Sequence, residues 1–249
     1  IDELEIFKKG NLFIENKADL EVLLNINVNS GSLKNKNILR GRNLVFVNGI
    51  FENLHNTFVD NSFIATNTSI FNEGTVYANK VQIDQGTVYG TGVFNSSEFF
   101  NKGTINPGSE INLFGTLTFE GNLINEGAIE LDINKSQSDN LILDELTMGG
   151  LLAIKPAINL YSGNTSYALL GFQKKNGLEF DNFEIDRTNL GRLRHELVYR
   201  DKSIDLNLLN PSYENLGSST KSKAIGKYVD LFTEKTSTRF QSILDQINY

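Results

Sequence analysis

The chain has 249 residues, of which 39% are hydrophobic and 21% charged, so it holds enough apolar material for a core and too little charge for a disordered chain. Its net charge of −7 argues against a nucleic-acid partner, which would require a basic surface. It contains no Cys, which excludes disulfides and thiolate metal sites, and no run of about 18 apolar residues that could cross a membrane as a helix.

Turn-forming residues are in excess, with 21 Gly and about 13% Asn. This composition predicts many short strands joined by many turns. The opening residues, IDELEIFKKGNLFIEN, already have a strand-like pattern, and we therefore expect the chain to be a piece of a longer protein.

A short phrase of the form apolar-Asn-x-Gly-Thr-apolar recurs along the first half of the chain. It reads FNEGTV at 71–76, FNKGTI at 100–105 and INEGAI at 124–129, with the looser copies VNSGSL at 28–33 and VNGIF at 47–51. Alignment on Asn gives steps of 19, 24, 29 and 24 residues, which is typical of a solenoid whose loops vary in length. Leucine-rich repeats have a similar period, but their leucine signature is missing.

The phrase predicts the corner of a coil, because Asn tolerates left-handed backbone and Gly adopts it freely. The predicted corner residues are Asn29, Asn48, Asn72, Gly74, Asn101, Gly103, Asn125 and Gly127. Two apolar columns are expected to stack in register, one formed by Phe71, Phe100 and Ile124 and the other by Val76, Ile105 and Ile129. A β-sandwich also carries frequent turns, but it has no reason to repeat flanking apolar residues in phase, so the solenoid is favoured.

Residues 105–152 carry a more specific pattern. Pro107-Gly108 is followed by GTLTFEGNL at 115–123, by Gly127 and Leu131, and by SDNLIL at 138–143. This order and spacing resemble the C-terminal part of the passenger domain of bacterial autotransporters, the proteins of type V secretion. The resemblance implies an all-β chain, namely a right-handed parallel β-helix with a C-terminal β cap and a short C-terminal helix.

The resemblance continues to residue 210. YSGNTSYALLGF at 161–172 and LRHELVYRDKSIDLNLL at 193–209 are similar to the strands of the family's autochaperone region, which caps the β-helix and assists its folding after export. The family's Gly-x-Phe before the second segment is replaced by FDNFEID. The implied cap residues are Tyr161, Gly163, Tyr167, Leu169, Tyr199 and Leu206.

Beyond Pro211 the apolar residues adopt helical spacing, with Ile225, Val229 and Phe232 followed by a second group of Phe240, Leu244 and Ile247. In the resembled family such a helix leads into a C-terminal membrane β-barrel, which would lie beyond Tyr249; a helix packed on the body is the alternative. We therefore divide the chain into β-helix coils (1–150), an autochaperone-like cap (151–211) and a helical linker (212–249).

Candidates for chemistry are few. His55 and His195 are far apart in sequence and no Gly-x-Ser-x-Gly elbow accompanies them, which disfavours a nucleophilic triad. Two acidic groups occur, Asp132, Asp139, Asp144 and Glu145 in one and Asp181, Glu184 and Asp186 in the other; we assign them to turns and solvent-facing positions rather than to a polysaccharide-cleaving site. A basic stretch, Arg187, Arg192, Arg194, His195, Arg200 and Lys202, is interpreted as exposed strand decoration.

The resemblance implies a non-catalytic stem and folding cap of a passenger that is displayed on, or released from, a Gram-negative cell as part of an adhesin or virulence factor. No cofactor and no metal are expected. The implied partners are the protein's own membrane β-barrel and, through the whole passenger, a host receptor or glycan. Two alternatives stay open: a secreted β-helical toxin that binds host cells, and a polysaccharide-degrading enzyme.

Overall fold

The computed structural model describes residues 4–7, 13–16, 19–108, 114–210 and 219–233. The chain forms a β-solenoid of about seven turns, accompanied by one short helix. This confirms the predicted all-β solenoid, whereas the handedness of its coil stays a prediction.

Strands make up most of the described chain. The lower coils contain β1 (Leu4–Phe7), β2 (Phe13–Asn16), β3 (Leu20–Asn29), β4 (Ser32–Asn35), β5 (Leu39–Val47), β6 (Ile50–Asn53), β7 (Asn56–Asn72), β8 (Thr75–Gly90), β9 (Val93–Asn101) and β10 (Thr104–Pro107). The upper coils and the C-terminal part contain β11 (Thr116–Asn125), β12 (Ala128–Ile133), β13 (Asn140–Thr147), β14 (Leu151–Pro156), β15 (Thr165–Asn176), β16 (Asn182–Ile185), β17 (Arg194–Tyr199), β18 (Ser203–Leu209) and α1 (Thr220–Thr233).

Each coil supplies three consecutive strand segments, which β7 shows in one continuous strand. Its residues 56–59, 62–66 and 68–72 pair separately and in parallel with the same three segments of β8. We call the three resulting stacks the first, second and third sheet, in that order along the coil. The second-to-third corner follows residue 66 of β7, and the third-to-first corner follows residue 72.

The length of a coil differs from the predicted one. In the first sheet Thr57, Val76 and Phe94 stack in register, so a lower coil takes 18 or 19 residues, which is also the spacing of hydrogen-bonded asparagines on neighbouring coils. Above Phe94 the coils lengthen, and its partner Phe119 lies 25 residues further along the chain. The steps of 24 and 29 residues on either side of Asn72 were therefore wrong as a measure of coil length, because each of them connects two corners of different kinds.

The predicted apolar columns are correspondingly correct in their upper half and wrong in their lower half. Ile124 pairs with Phe100 and Ile129 pairs with Ile105. Phe71, however, pairs with Tyr89, and Val76 belongs to the first sheet rather than to the column of Ile105. The cause is that the same phrase forms the third-to-first corner at 71–76 and the second-to-third corner at 100–105.

The core is made of inward-facing columns, one or more for each sheet. Alternation along each strand sends every second side chain inward, where it contacts its counterparts on the coils above and below. The buried columns are Leu39, Thr57, Val76, Phe94, Phe119 and Leu143 in the first sheet; Ile26, Leu44, Phe63, Val81, Phe99, Leu123 and Leu146 in the second; and Leu33, Phe51, Ile70, Val88, Ile105, Ile129 and Leu152 in the third.

Two aromatic clusters lie in this core. Phe46, Phe51 and Phe63 have ring centroids 5.2 to 6.0 Å apart, and Phe94, Phe99 and Phe119 have centroids 4.8 to 5.4 Å apart. Such pairs are stabilising beyond the area that they bury. They hold the three sheets together from inside.

Parallel stacking continues past residue 150. Segment 151–156 of β14 pairs with β12 below and with β16 above, and β15 pairs in parallel with β13. The predicted boundary at residue 150 thus falls inside the parallel ladder, and the division into domains stays a prediction. The predicted C-terminal helix is α1, in which Ile225 and Tyr228 are exposed; the second predicted apolar group lies outside the described residues.

Candidate functional site

The second-to-third corner of the lower coils is formed by residues in the left-handed conformation. Ser30, Asn48, Asn67 and Gln85 occupy equivalent places and have φ between 48° and 62°. Asn48 is therefore the left-handed residue of its corner, as predicted. Asn29 is not, because in its own corner the left-handed residue is the neighbouring Ser30. Asn67 donates a side-chain hydrogen bond to Asn48 on the coil below (2.7 Å), in an exposed position.

The third-to-first corner contains an internal ladder of asparagines. Asn35, Asn53 and Asn72 are completely buried and stack in register. The Nδ2 of Asn35 donates to Oδ1 of Asn53, and the Nδ2 of Asn53 donates to Oδ1 of Asn72, both at 2.8 Å. Each amide thus satisfies the next, which is the condition for burying a polar side chain at low cost.

A second buried ladder occupies the second-to-third corner of the upper coils. Asn101 donates to Oδ1 of Asn125 at 2.7 Å and to the Ala128 carbonyl at 3.2 Å. Asn125 in turn donates to the Gly149 carbonyl of the next coil at 2.7 Å. Neither these two residues nor Asn72 has positive φ, so they mark corners by tying coils together and not by backbone conformation.

The glycines of the phrase are explained by close approach of the backbone. A Cβ on Gly74 would lie 2.0 Å from the His55 carbonyl oxygen, one on Gly103 would lie 2.5 Å from that of Gly86, and one on Gly127 would lie 2.2 Å from that of Gly103. Real Cβ contacts are far longer. All three glycines adopt ordinary φ, so what they supply is room between stacked corners.

Sequence reasoning missed Asn35 and Asn53, although a signal was present. Both follow an apolar residue by two positions, in LKN and FEN, and Asn72 does the same in IFN. Residues i and i+2 of a strand share a face, so an Asn two places after a core residue is itself directed inward. The pattern recurs once per coil, in register with the stacked strands, and so gives the true coil length.

The last coil is closed by an antiparallel hairpin. β15 pairs in antiparallel register with β18, and β18 pairs likewise with β17. Three of the predicted cap residues face the interior of this arrangement: Tyr167, Leu169 and Leu206 are buried, and Tyr167 lies opposite Leu206 in the ladder. We call β15, β17 and β18 the cap.

Two tyrosines attach the cap region to the coil below. The Tyr161 hydroxyl lies 2.8 Å from the Ile133 carbonyl and 2.9 Å from the Ala157 carbonyl, and the Tyr167 hydroxyl donates to the Asn134 carbonyl at 2.8 Å. Both rings are buried. Burial raises the pKa of Tyr167 to about 12, so its hydroxyl keeps the proton that it donates throughout the neutral range.

The other predicted cap residues lie at the margin of the hairpin. A Cβ on Gly163 would lie 1.9 Å from Oδ1 of Asn210, so the loop before β15 closes tightly on the end of β18. Tyr199 is half-buried, and its hydroxyl accepts a long hydrogen bond from the Phe180 amide (3.4 Å). Burial raises the pKa of Tyr199.

The turn that receives the two tyrosines is held by a buried carboxylate. Residues 132–139 form a β-hairpin, in which the Asp139 amide donates to the Asp132 carbonyl. The Oδ1 of Asp139 accepts from the Gly115 amide of the coil below, and Oδ2 accepts from the Asp132 amide, both at 2.8 Å. Asp139 is fully buried, so its assignment to a solvent-facing position was wrong.

The electrostatics of this carboxylate follow from its burial. Desolvation raises the pKa of Asp139 to about 7 against the lowering effect of the two amide donors. Asp132 is half-buried, and its pKa is also raised by desolvation, which Lys155 partly offsets. The neighbouring members of the acidic group differ: Asp144 is exposed, and the hydrogen bond from Lys174 lowers the pKa of Glu145.

The two histidines belong to distant coils. His55 is exposed at the corner before β7, whereas His195 lies in β17 against the Phe183 ring, with a centroid distance of 5.9 Å. Desolvation and the charge of Arg187 lower the pKa of His195. No group of three acidic, His or Cys residues in the described ranges is placed to hold a metal ion.

Three arginines of the basic stretch form contacts within the C-terminal part of the chain. Arg200 pairs with Asp205, Arg187 donates to the Leu193 carbonyl, and Arg194 donates to the Asn210 carbonyl. These contacts stabilise the loops and edges of the cap. Within the described part of the chain, no helix is both long and apolar enough to cross a membrane.

Two comparisons with known proteins were informative only by their negative result. No protein-family model matches the chain, and no curated protein matches its sequence. The function of the chain must therefore be inferred from its own coils and cap.

Tyr167→Phe tests the attachment of the cap. The substitution removes one O–H that donates to the Asn134 carbonyl while the ring stays in place, so we expect a loss of about 1–2 kcal/mol in the free energy of unfolding. The measurement is urea unfolding followed by far-UV circular dichroism. Tyr77→Phe is the control, because its half-exposed ring stacks on Phe58 with a centroid distance of 4.8 Å and should change stability by less than about 0.5 kcal/mol. Equal losses in both variants would contradict the assignment.

Proposed function

We propose that the chain is the non-catalytic stem and folding cap of an exported surface protein of the autotransporter type. Its task is to carry a more distal part of that protein away from the cell and to close the end of the β-solenoid. The observation on which the proposal rests is the antiparallel pairing of β18 with the strand of the last coil.

The end of an open solenoid exposes a row of unpaired backbone groups, which can pair with another chain. In this chain β18 pairs with β15 from Thr165 to Gly171, a stretch that includes the first-sheet residues Leu170 and Gly171, and β17 pairs with β18 in turn. The arrangement supports a capping role, because it ends the parallel ladder of the first sheet with strands of a different direction. The buried tyrosines attach it to the coil below.

The segments that resemble the autotransporter family form successive strands of the upper coils and the cap. The stretch 115–123 begins one residue before β11 and continues in it, the stretch 138–143 leads into β13, and the two cap-like stretches lead into β15 and the β17–β18 hairpin. The resembling segments therefore lie in chain order along the upper coils and end in the cap. It supports export to a Gram-negative cell surface, with a membrane β-barrel and a host receptor or glycan as the partners of the whole protein.

Removal of the cap tests this proposal. We compare the chain with a version that ends at residue 156, which lacks β15 to β18, and with a version that ends at residue 210, which keeps them. Refolding from urea is followed by far-UV circular dichroism. We expect the version ending at 210 to refold like the whole chain and the version ending at 156 to lose most of its refolding yield, because the upper edge of β13 would be left without β15.

Display is measured separately by fusing the three versions to an autotransporter β-barrel in a Gram-negative host and detecting them at the cell surface. The proposal predicts that only the version ending at 156 is poorly displayed. If it is displayed and refolds as well as the others, the cap has no folding role and the proposal fails. Binding of the soluble chain to host cells, with a change in those cells, would instead favour the toxin.

A further inference from the structure

The outer face of the first sheet carries a column of stacked aromatic rings. Phe58 and Tyr77 lie on neighbouring coils, pair in register and stack face to face, with ring centroids 4.8 Å apart and an interplanar angle of 4°. On the coil below, the Arg40 guanidinium lies over the Phe58 ring, with its Cζ 4.3 Å from the centroid. The cation and the two rings hold one another in place, so the column presents Tyr77 in a fixed orientation.

The upper face of Tyr77 is the open end of this column. The ring is 37% exposed, and the residue above it in register is Asn95, whose side chain is too short to cover a phenol ring. The Nδ2 of Asn95 donates to Oε2 of Glu120 on the next coil at 2.5 Å, so this amide is directed away from the ring. A flat apolar surface is therefore accessible on the first sheet.

A polar hollow of about 420 Å³ lies directly above this ring, where the first sheet turns into the second. It is lined by Asn95, Ser96, Ser97, Glu120, Gly121 and Asp144. Oδ2 of Asp144 accepts the Gly121 amide at 3.2 Å, whereas Oδ1 of Asp144 and Oε1 of Glu120 receive no hydrogen bond from the described residues. The hollow thus offers carboxylate acceptors beside an amide and a hydroxyl that can donate.

A flat ring next to such a row of polar groups is suited to a sugar. A pyranose packs the C–H groups of one face on an aromatic ring, and its hydroxyls both donate and accept hydrogen bonds at the rim. Glu120 and Asp144 follow Asn95 on the next two coils, since their neighbours Phe119 and Leu143 pair in register. Three coil spacings of about 4.8 Å make the site about 14 Å long, which fits a short oligosaccharide better than a single sugar.

The charge of the hollow selects among ligands. Its lining contains two carboxylates and neither Lys nor Arg, so uronates and other anionic sugars would be repelled. A Lys or Arg side chain of a basic peptide has no acceptor and would leave the donors of Asn95 and Ser97 unused, while its ion pairs with exposed carboxylates would be weak. An uncharged ligand with many hydroxyls uses both kinds of group.

We propose that Tyr77 and this hollow together form a binding site for a neutral oligosaccharide. One sugar ring packs on the upper face of Tyr77, and hydroxyls of this and the following sugars bind Asn95, Glu120 and Asp144. The inference concerns the outer face of the first sheet alone and does not depend on whether the chain is exported or on the role of the cap.

Binding is measured with the whole chain by ligand-observed NMR. The neutral probes are the linear tetrasaccharides of glucose, galactose, mannose and N-acetylglucosamine, and the anionic probe is tetragalacturonate. We expect at least one neutral probe to bind with a Kd of about 1 mM or below, and tetragalacturonate to bind at least about tenfold more weakly. The affinity for the neutral probe should be the same from about 50 mM to about 500 mM NaCl, because salt does not screen an uncharged ligand.

Tyr77→Ala removes the stacking surface and should weaken binding roughly tenfold. Tyr228→Ala is the control, because it makes the same change at a ring that is 69% exposed on α1, and it should leave the affinity unchanged. Urea unfolding verifies that both variants are folded.

The proposal is overturned if no neutral probe binds at about 10 mM, if tetragalacturonate binds as well as the neutral probes, or if both variants weaken binding equally. Binding of tetralysine in place of the sugars would assign the hollow to a basic peptide and would also overturn it. If Tyr77→Ala does not fold, the amide NMR spectrum of the unaltered chain decides: sugar-induced shifts centred on 95–97 and 120–121 support the site, and shifts centred elsewhere exclude it.

Discussion

Gly127→Ala is expected to destabilise the solenoid by about 2–4 kcal/mol, although it adds one methyl group to a strand-forming chain. The added Cβ would lie 2.2 Å from the Gly103 carbonyl oxygen and 2.9 Å from the Gly103 amide nitrogen. Both atoms are backbone atoms of the corner below, so the clash is relieved only by moving one coil relative to the other. That movement would also strain the bond from Asn101 to Asn125 beside it.

The matched control is Gly171→Ala, which makes the same chemical change in β15. A Cβ at that position has nothing within 4 Å, and the backbone conformation is one that alanine adopts readily. Alanine should be neutral there or stabilising by up to about 1 kcal/mol, because glycine loses more conformational freedom on folding. The free energies of unfolding are obtained from urea titration of both variants, and a similar small change in the two would refute the close-approach explanation for Gly127.

The solenoid was predictable because two independent patterns agree in the sequence. Period-two alternation predicts strands with one buried face, and frequent Asn and Gly predict the corners. The length of a coil was not recoverable from the phrase itself. FNEGTV and FNKGTI are nearly identical in pattern, yet the first turns from the third sheet to the first and the second turns from the second sheet to the third.

The register of the core would have been a better guide than the turn phrase. Leu33, Phe51 and Ile70 recur once per coil and pair directly, each followed two places later by a buried Asn. The Asn-Gly phrase indicates only that the chain turns, whereas the inward-facing residues indicate which positions of successive coils are paired. Aligning the chain on its inward-facing residues would therefore have given both the coil length and the inward direction of the asparagines.

The cap was predicted in its residues but not in its contacts. Alternation places Tyr167 and Leu169 on one face of β15, which the structure confirms by their burial. The partners of the tyrosine hydroxyls are backbone carbonyls 28 and 33 residues earlier, and any carbonyl of the preceding coil would have satisfied the same sequence. The burial of Asp139 was unpredictable for the same reason, since its partner Gly115 lies 24 residues away.

Asn53→Asp is expected to have the second large effect, because the internal ladder needs an amide at each step. Asn53 accepts hydrogen bonds from Asn35 and from the Thr57 hydroxyl, and it donates one to Asn72. A carboxylate of the same shape can still accept the hydrogen bonds from Asn35 and Thr57. Its second oxygen, however, would face Oδ1 of Asn72 without a proton to donate, and its charge would be fully buried. We expect a loss of about 3–5 kcal/mol at pH 8.

The loss should depend on pH in a defined direction. A buried carboxyl in this place would have a raised pKa, and once protonated it could donate to Asn72 as the amide does. The deficit relative to the unaltered chain should therefore shrink between pH 8 and pH 5, a difference that the Asp139 contribution leaves unaffected because both chains contain it. Asn67→Asp is the control, since Asn67 is exposed and its bond to Asn48 is surrounded by water, so the loss should stay below about 1 kcal/mol at every pH. If urea unfolding shows a pH-independent deficit for Asn53→Asp, or an equal one for Asn67→Asp, the ladder is not the element that joins these coils.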